Sequence, residues 1–187
     1  MITHRFVVGH HKEGKKVKVS RPWAIGRAGA PVGGVISTVK DLLIYARFHM
    51  GNGKSASGEK LLLVKSLRAM RKPLYPATGF DHIGLTWFIR KAGDLEVITH
   101  GGATHGQIAG LYFIPEQDFA LAVLTNEEDG RLVTKAALKK ALEVYFKIAS
   151  PDPKLMELSE EALREYEGNY ELPMSAFELK LKKGHLV

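Results

Sequence analysis

The sequence predicts an α+β fold in which an antiparallel β-meander packs with helices. Three observations carry this reading. Four apolar runs lie between Ile83 and Thr125, joined in pairs by turn-forming residues. An amphipathic helical pattern precedes them at Thr38–Met50, and a longer one follows at Arg131–Ala149. Beyond Pro151 only short strand-like runs remain, too few to complete a sheet, so the fold reads as incomplete.

The elements follow in order. Residues 1–30 are polar and basic, and Val17 and Val19 alternate with lysines, which predicts a short exposed hairpin within Phe6–Val19. Thr38 with Asp41 three residues on starts a helix in the manner of a capping box. Val39, Leu42, Leu43, Ala46 and Met50 form its apolar stripe, and Gly51-Asn52-Gly53 stops it. A second helix is expected from Glu59 or Lys60 to Met70, before Pro73. Ile83–Arg90 and Leu95–His100 read as a hairpin around Lys91-Ala92-Gly93-Asp94, and Asp81-His82 ahead of it as a solvated turn. Ile108–Ile114 and Phe119–Thr125 read as a second hairpin around Pro115-Glu116-Gln117-Asp118. The long helix at Arg131–Ala149 turns Val133, Ala137, Leu138, Leu142, Tyr145 and Ile148 inward.

Two domains follow, residues 1–150 and residues 151–187. Pro151–Leu155 reads as a linker. Ser159–Arg164 reads as a helical turn, Tyr166–Leu172 and Phe177–Leu181 as strands, and Lys182–His185 as a turn. A third strand begins at Leu186.

Composition narrows the function. With 45% hydrophobic and 25% charged residues the chain has the balance of a soluble globular protein. No apolar run approaches the roughly 20 residues a membrane span requires. The first residues, Met1–Arg5, lack the apolar core of a secretory signal, which slightly favours a cytoplasmic location. The net charge of +7 could serve nucleic acid, but the lysines are scattered and no aromatic-interleaved basic motif occurs, so nucleic acid is not an expected partner. Zero cysteines exclude disulfides and thiolate metal sites. His10, His11, His100 and His105 have no carboxylates placed to complete a metal site, and no cofactor is expected. Scarce Asn and Gln beside abundant Lys and Glu hint at a thermophilic source.

The chemistry concentrates at His100-Gly101-Gly102-Ala103-Thr104-His105-Gly106. Three glycines in seven residues, between two strands, mark backbone that a ligand approaches closely. The two histidines add groups that exchange protons near neutral pH.

Several segments together resemble one family. Gly33-Gly34-Val35-Ile36-Ser37-Thr38-Val39-Lys40-Asp41-Leu42 is similar to the glycine pair and helix start of serine hydrolases with the β-lactamase and penicillin-binding-protein fold, nearest their class C-like esterases and peptidases. Ile83-Gly84-Leu85-Thr86-Trp87 resembles the strand entering their active site. His100-Gly101-Gly102 resembles their third motif, and Leu121–Asn126 the strand before their C-terminal helix. Tyr166–Tyr170 resembles the start of an appended lipocalin-like domain. The resemblance covers roughly residues 20–172 in matching order.

The resemblance implies acyl transfer from an ester, amide or peptide through an acyl-enzyme. His100, Gly102 and Ala103 would form the third motif and oxyanion hole, with the Ala103 amide as a donor. Gly101, Thr104 and His105 would line the substrate. The family's nucleophile lies in a Ser-x-x-Lys motif and its second basic group in a Tyr-x-Asn motif, N-terminal to the glycine pair. No Tyr-x-Asn occurs in the 187 residues. Ser-x-x-Lys occurs at Ser37–Lys40 and Ser57–Lys60, a frequency chance alone supplies. Ser37 at a helix start could be a nucleophile activated by Lys40, but it fits better as a capping candidate beside Thr38 with Lys40 in solvent. The expectation is a fragment, inactive alone. The alternative is a non-catalytic module that pairs with another chain, a second copy included, or binds a ligand through an exposed sheet edge.

Overall fold

The computed structural model describes residues 6–21, 25–149, 157–172 and 175–187. Two compact units divide the chain, Met1–Ser150 and Pro151–Val187.

The first unit is built on a six-stranded antiparallel sheet in sequential order: β3 (Tyr75–Ala77), β4 (Phe80–Ile83), β5 (Phe88–Ala92), β6 (Leu95–Thr104), β7 (Gln107–Ile114) and β8 (Phe119–Thr125). A separate hairpin, β1 (His10–Glu13) with β2 (Lys16–Val19), precedes it, as the lysine–valine alternation predicts. Helices α1 (Ala30–Gly33), α2 (Val39–Met50) and α3 (Val64–Met70) come between, and α4 (Gly130–Phe146) follows β8.

The tight turns explain the meander. Gly93 (φ 57°) turns β5 into β6, and Gly106 (φ 68°) turns β6 into β7. Asp118 takes the left-handed conformation (φ 46°) between β7 and β8, a role Asp fills at modest cost.

Alternation along β6 sorts the core onto both faces. Ile98 packs with Trp87, Ile89, Leu111, Phe113 and Ala46 of α2 on one side. Val97, its neighbour, packs with Ile114 and with Leu138 and Leu142 of α4 on the other. The sheet is thus sandwiched between helices. Each large side chain so buried contributes about 1.5–3 kcal/mol.

Several expectations are corrected. The run Ile83–Arg90 is not one strand: Gly84–Trp87 breaks it, with Gly84 N–H donating to Trp87 O (2.7 Å) and Leu85 N–H to Met70 O (3.0 Å). A Cβ at Gly84 would lie 2.6 Å from Met70 O, so only glycine passes there without displacing backbone. Asp81-His82 is ladder rather than turn; His82 pairs with Ile89, and the Asp81 carboxylate accepts from Lys91 N–H at 2.6 Å. The second helix begins at Val64, because Leu61 and Leu62 donate their N–H groups to Gly53 O instead of continuing a helix. On α4, Val133 and Tyr145 are exposed, and Thr134, Leu138, Ala141 and Leu142 form the inner face. That helix ends at Phe146, where Lys147 turns left-handed (φ 58°).

The second unit holds a short helix, α5 (Glu160–Arg164), capped by the Ser159 hydroxyl, which accepts from Ala162 N–H at 3.2 Å. Two strand pairs follow, β9 (Gly168–Leu172) with β10 (Ser175–Leu179), and β11 (Leu181–Lys182) with β12 (His185–Leu186). Tyr170 stacks on Phe177 with ring centroids 5.3 Å apart. None of its described side chains is fully buried. The Pro151–Leu155 linker reading lies outside the described residues.

Candidate active site

Strand β6 is ten residues long, but β5 pairs only with its first half. The β5–β6 ladder runs from Ala92↔Leu95 to Phe88↔Thr99 and stops. The β6–β7 ladder continues through His100, Gly101, Gly102 and Ala103 to Thr104↔Gln107. Residues 100–104 therefore have a partner strand on one side and an open edge on the other. His100, Gly101, Gly102 and Ala103 are exposed, and Thr104 is half-buried. The sequence-predicted residues are thus brought together as one free backbone edge, inside the strand rather than in a loop.

The glycines suit that edge differently. A Cβ at Gly101 would sit 3.2 Å from the Ala109 carbonyl, a tight fit within the sheet. A Cβ at Gly102 would make only ordinary contact, 3.8 Å from Ala109 Cβ. Nothing in the sheet demands glycine at 102, so the space it preserves is on the open side. The Gly33-Gly34 pair comes to the same place, for a Cβ at Gly33 would lie 3.8 Å from Thr104 Cγ2.

His100 stands at the entrance of the edge in an aromatic corner. Its ring is 5.6 Å from Phe88 and 6.5 Å, edge-on, from Trp87. Nδ1 lies 2.7 Å from the Gly101 carbonyl. A carbonyl only accepts, so Nδ1 is the donor of this bond. Beneath, buried Trp87 meets Phe113 edge-on at 4.9 Å and buried His49 at 5.0 Å. Burial, reinforced by the charge of Arg71, pushes His49 down to about 4. Neither His49 Nδ1 nor Trp87 Nε1 has a hydrogen-bond partner.

The far end of the edge is braced by the N-terminal arm, residues 7–12. The arm runs so close to the β6–β7 turn that a Cβ on Gly9 would overlap the His105 carbonyl, and one on Gly106 the His10 backbone. Gln107 Nε2 donates to Val7 O at 3.0 Å. His10 N–H and Nδ1 both reach Asn126 O, at 2.9 and 3.0 Å, and Asn126 Nδ2 is 3.4 Å from Val8 O. Lys12 pairs with Asp129, whose hydrogen bond and charge raise the lysine pKa. His105 belongs to this braced turn rather than to the edge itself.

His10 and Asn126 at one end of the edge, and Trp87 and His49 beneath the other, are neighbours that sequence reasoning did not group. His49 alone had a signal: it follows Ala46 by three positions, on the same helical face. His11 bonds to Ser20 (3.1 Å). Among the described residues no three His, Asp or Glu side chains converge as metal ligands.

Neither serine of the Ser-x-x-Lys matches is set up to attack. The Ser37 hydroxyl is 3.4 Å from Thr38 O, and Thr38, not Ser37, caps α2 by accepting from Asp41 N–H at 3.2 Å. The Ser57 hydroxyl contacts Ser55 at 2.8 Å. No lysine amine bonds to either.

Comparison with known proteins agrees with this geometry. The beta-lactamase family profile matches residues 2–144. "Penicillin-binding protein 4" of Amycolatopsis lactamdurans is 29% identical over 108 residues, covering 54% of this chain and 28% of that protein. The crystal structure of SurE superposes with a TM-score of 0.66 at 24% identity, over 96% of this chain and 42% of SurE. The octameric penicillin-binding protein homologue from Pyrococcus abyssi gives a TM-score of 0.60 at 20% identity, over 94% and 39%. The chain therefore spans less than half the length of each of these relatives. With the family profile matched over most of its length, the chain belongs to the beta-lactamase family.

Proposed function

We propose that the chain is the C-terminal part of a serine hydrolase that transfers acyl groups from esters or amides, and that it contributes one wall of the active site. The open edge at His100–Thr104 is the observation that carries this reading. An acyl substrate laid along it would meet backbone unobstructed by side chains at Gly101 and Gly102. When a serine oxygen attacks the acyl carbon, negative charge develops on the carbonyl oxygen. The Ala103 amide is assigned as one donor to that oxyanion, and the nucleophile's own amide as the other. Collapse of the tetrahedral intermediate expels the alcohol or amine and leaves the acyl-serine, which water then hydrolyses. His100 marks the rim, and Thr104 and His105 bound the far end.

The attacking serine and its base are assigned to a segment outside these 187 residues, so the chain alone is inactive. Two observations support this. Ser37 and Ser57 are occupied with local contacts. Val32 and Val35, 93% and 83% exposed near the glycine pair, form an apolar surface of the kind that a further part of the fold covers.

The experiment is an assay with an activated ester on this chain and on Ser37→Ala. No turnover by either is expected. Robust turnover that disappears in the variant would overturn the reading and make Ser37 the nucleophile.

A second reading rests on β8, which among the described residues pairs with β7 and has no strand on its other edge. A seven-residue apolar strand of this kind recruits a partner strand. A penicillin-binding protein homologue that is octameric gives the idea weight. Solution mass separates the two: a clean monomer argues against obligate pairing.

A further inference from the structure

We infer that the cavity between α2, α3 and the start of β6 binds a small dianion with an apolar body, of the alkyl-phosphate class. The cavity has a volume of about 700 Å³, within the range of small-molecule sites. None of residues 100–104 lines it, so it is separate from the proposed acyl site.

Its charge is out of balance. Lys65, Arg68, Arg71 and Lys72 line it against only two carboxylates, Glu96 and Glu116. None of the four cations forms an ion pair with any described residue. The surplus is two positive charges, which a dianion matches. Arg71 is the centre of the argument. It is half-buried, its Nε donates to Leu67 O at 3.3 Å, and among the described residues its outer guanidinium nitrogens have no partner. A planar fork held in this way suits two oxygens of a phosphate.

Helix stability does not explain the arrangement. Cations are favourable at a helix C-terminus, which accounts for Arg68. Lys65 lies in the first turn of α3, where a positive charge opposes the helix dipole and no acidic residue offsets it. Arg68 and Arg71 are three residues apart on one face, and like charges at that spacing repel. Burial and the neighbouring Arg68 both bear against the Arg71 charge, with Glu116 a partial counterweight. Three unfavourable placements around one cavity are relieved together by one anion. Met50, Val64 and Ile98 supply apolar wall for the ligand's body.

The test is calorimetric titration of the full 187-residue chain with hexyl phosphate, inorganic phosphate and hexanol. Hexyl phosphate is expected to bind saturably at one site, inorganic phosphate more weakly, and hexanol not at all. Arg71→Gln should weaken hexyl phosphate at least tenfold, in line with loss of a charge-assisted fork. Arg68→Gln, at an exposed position that leaves the fold intact, should weaken it severalfold, and His100→Ala should leave it unchanged. Absence of saturation, equal affinity in Arg68→Gln and Arg71→Gln as in the parent, or sensitivity to His100→Ala would each overturn the proposal. So would binding confined to phosphatidic acid vesicles, which would place the surface at a membrane. Failure of the ester assay leaves these outcomes untouched, because no step here uses the acyl site.

Discussion

The first half of β6, Leu95–Thr99, and the second, His100–Thr104, share one backbone and one neighbour, β7, yet live in different surroundings. In the first half Ile98 and Thr99 are paired on both sides, and Val97 and Ile98 are buried against opposite helices. The second half loses its β5 partner at Phe88 and is open to solvent. The difference teaches how a rigid scaffold presents reactive backbone: the buried half fixes the strand, and the open half inherits its straightness without its partner. Free amides on an ordered strand are positioned before any substrate arrives, which is the condition for stabilising a developing charge.

Substitutions can break this division at either half. The largest effect is expected in the buried half. Ile98→Ala should cost about 3–4 kcal/mol, read as a shift in the urea midpoint, because it empties the cluster that holds Trp87 and Ala46. Next is the support beneath the open half. His49 is buried with its pKa lowered to about 4, so the unfolded chain takes up the proton first as pH falls. Stability is full above the ordinary histidine value near 6.5 and declines as pH drops from there toward 4, by up to about 3 kcal/mol. His49→Phe should be neutral or stabilising at pH 7, since it removes an unpartnered buried nitrogen, and should flatten the decline in urea melts between pH 7 and 4.

The brace comes third. His10→Ala removes the side-chain bond to Asn126 and should cost about 1 kcal/mol. Amide exchange at Gly106 and Gln107 should quicken while that at Val97 and Ile98 holds; equal protection at the turn would show that the arm does not support it. The smallest effect belongs to the open half. Gly102→Ala should shift the melting temperature by less than about 0.5 kcal/mol would, as its Cβ meets only ordinary contact. In a complete, active enzyme containing this strand, kcat/KM should nonetheless fall. A stability loss as large as that of Ile98→Ala would erase the distinction between the halves.

The hairpins of the meander were legible because their turns are chemically marked: Gly93, Gly106 and Asp118 occupy the left-handed positions the chain needs. The glycine cluster of the site was legible because three glycines in seven residues mark backbone that a ligand can approach. What made it a site was not. Its openness follows from β5 ending at Phe88, and that ending follows from Gly84 and Leu85 turning toward Met70, a contact made in three dimensions. Strands β3 and β4 escaped notice because Tyr75-Pro76-Ala77 and Phe80-Asp81-His82-Ile83 carry no clean alternation; the ladder with β5 imposes their conformation. The inner face of α4 was misjudged at Val133 and Tyr145, since both Val133 and Thr134 fit an apolar stripe until the sheet selects one.

The arm has a consequence for the order of folding. From β3 to β8 every strand pairs with its neighbour in sequence, so the sheet grows by short loops that close quickly. The bond between His10 and Asn126 spans 116 residues, and with Val8–Asn126 and Lys12–Asp129 it closes a loop that encloses the whole sheet. The meander is therefore expected to form first and the arm to dock last, onto a turn already made. Tightening of the open edge would then come last, and refolding kinetics should show a late phase that His10→Ala abolishes while the main phase keeps its rate.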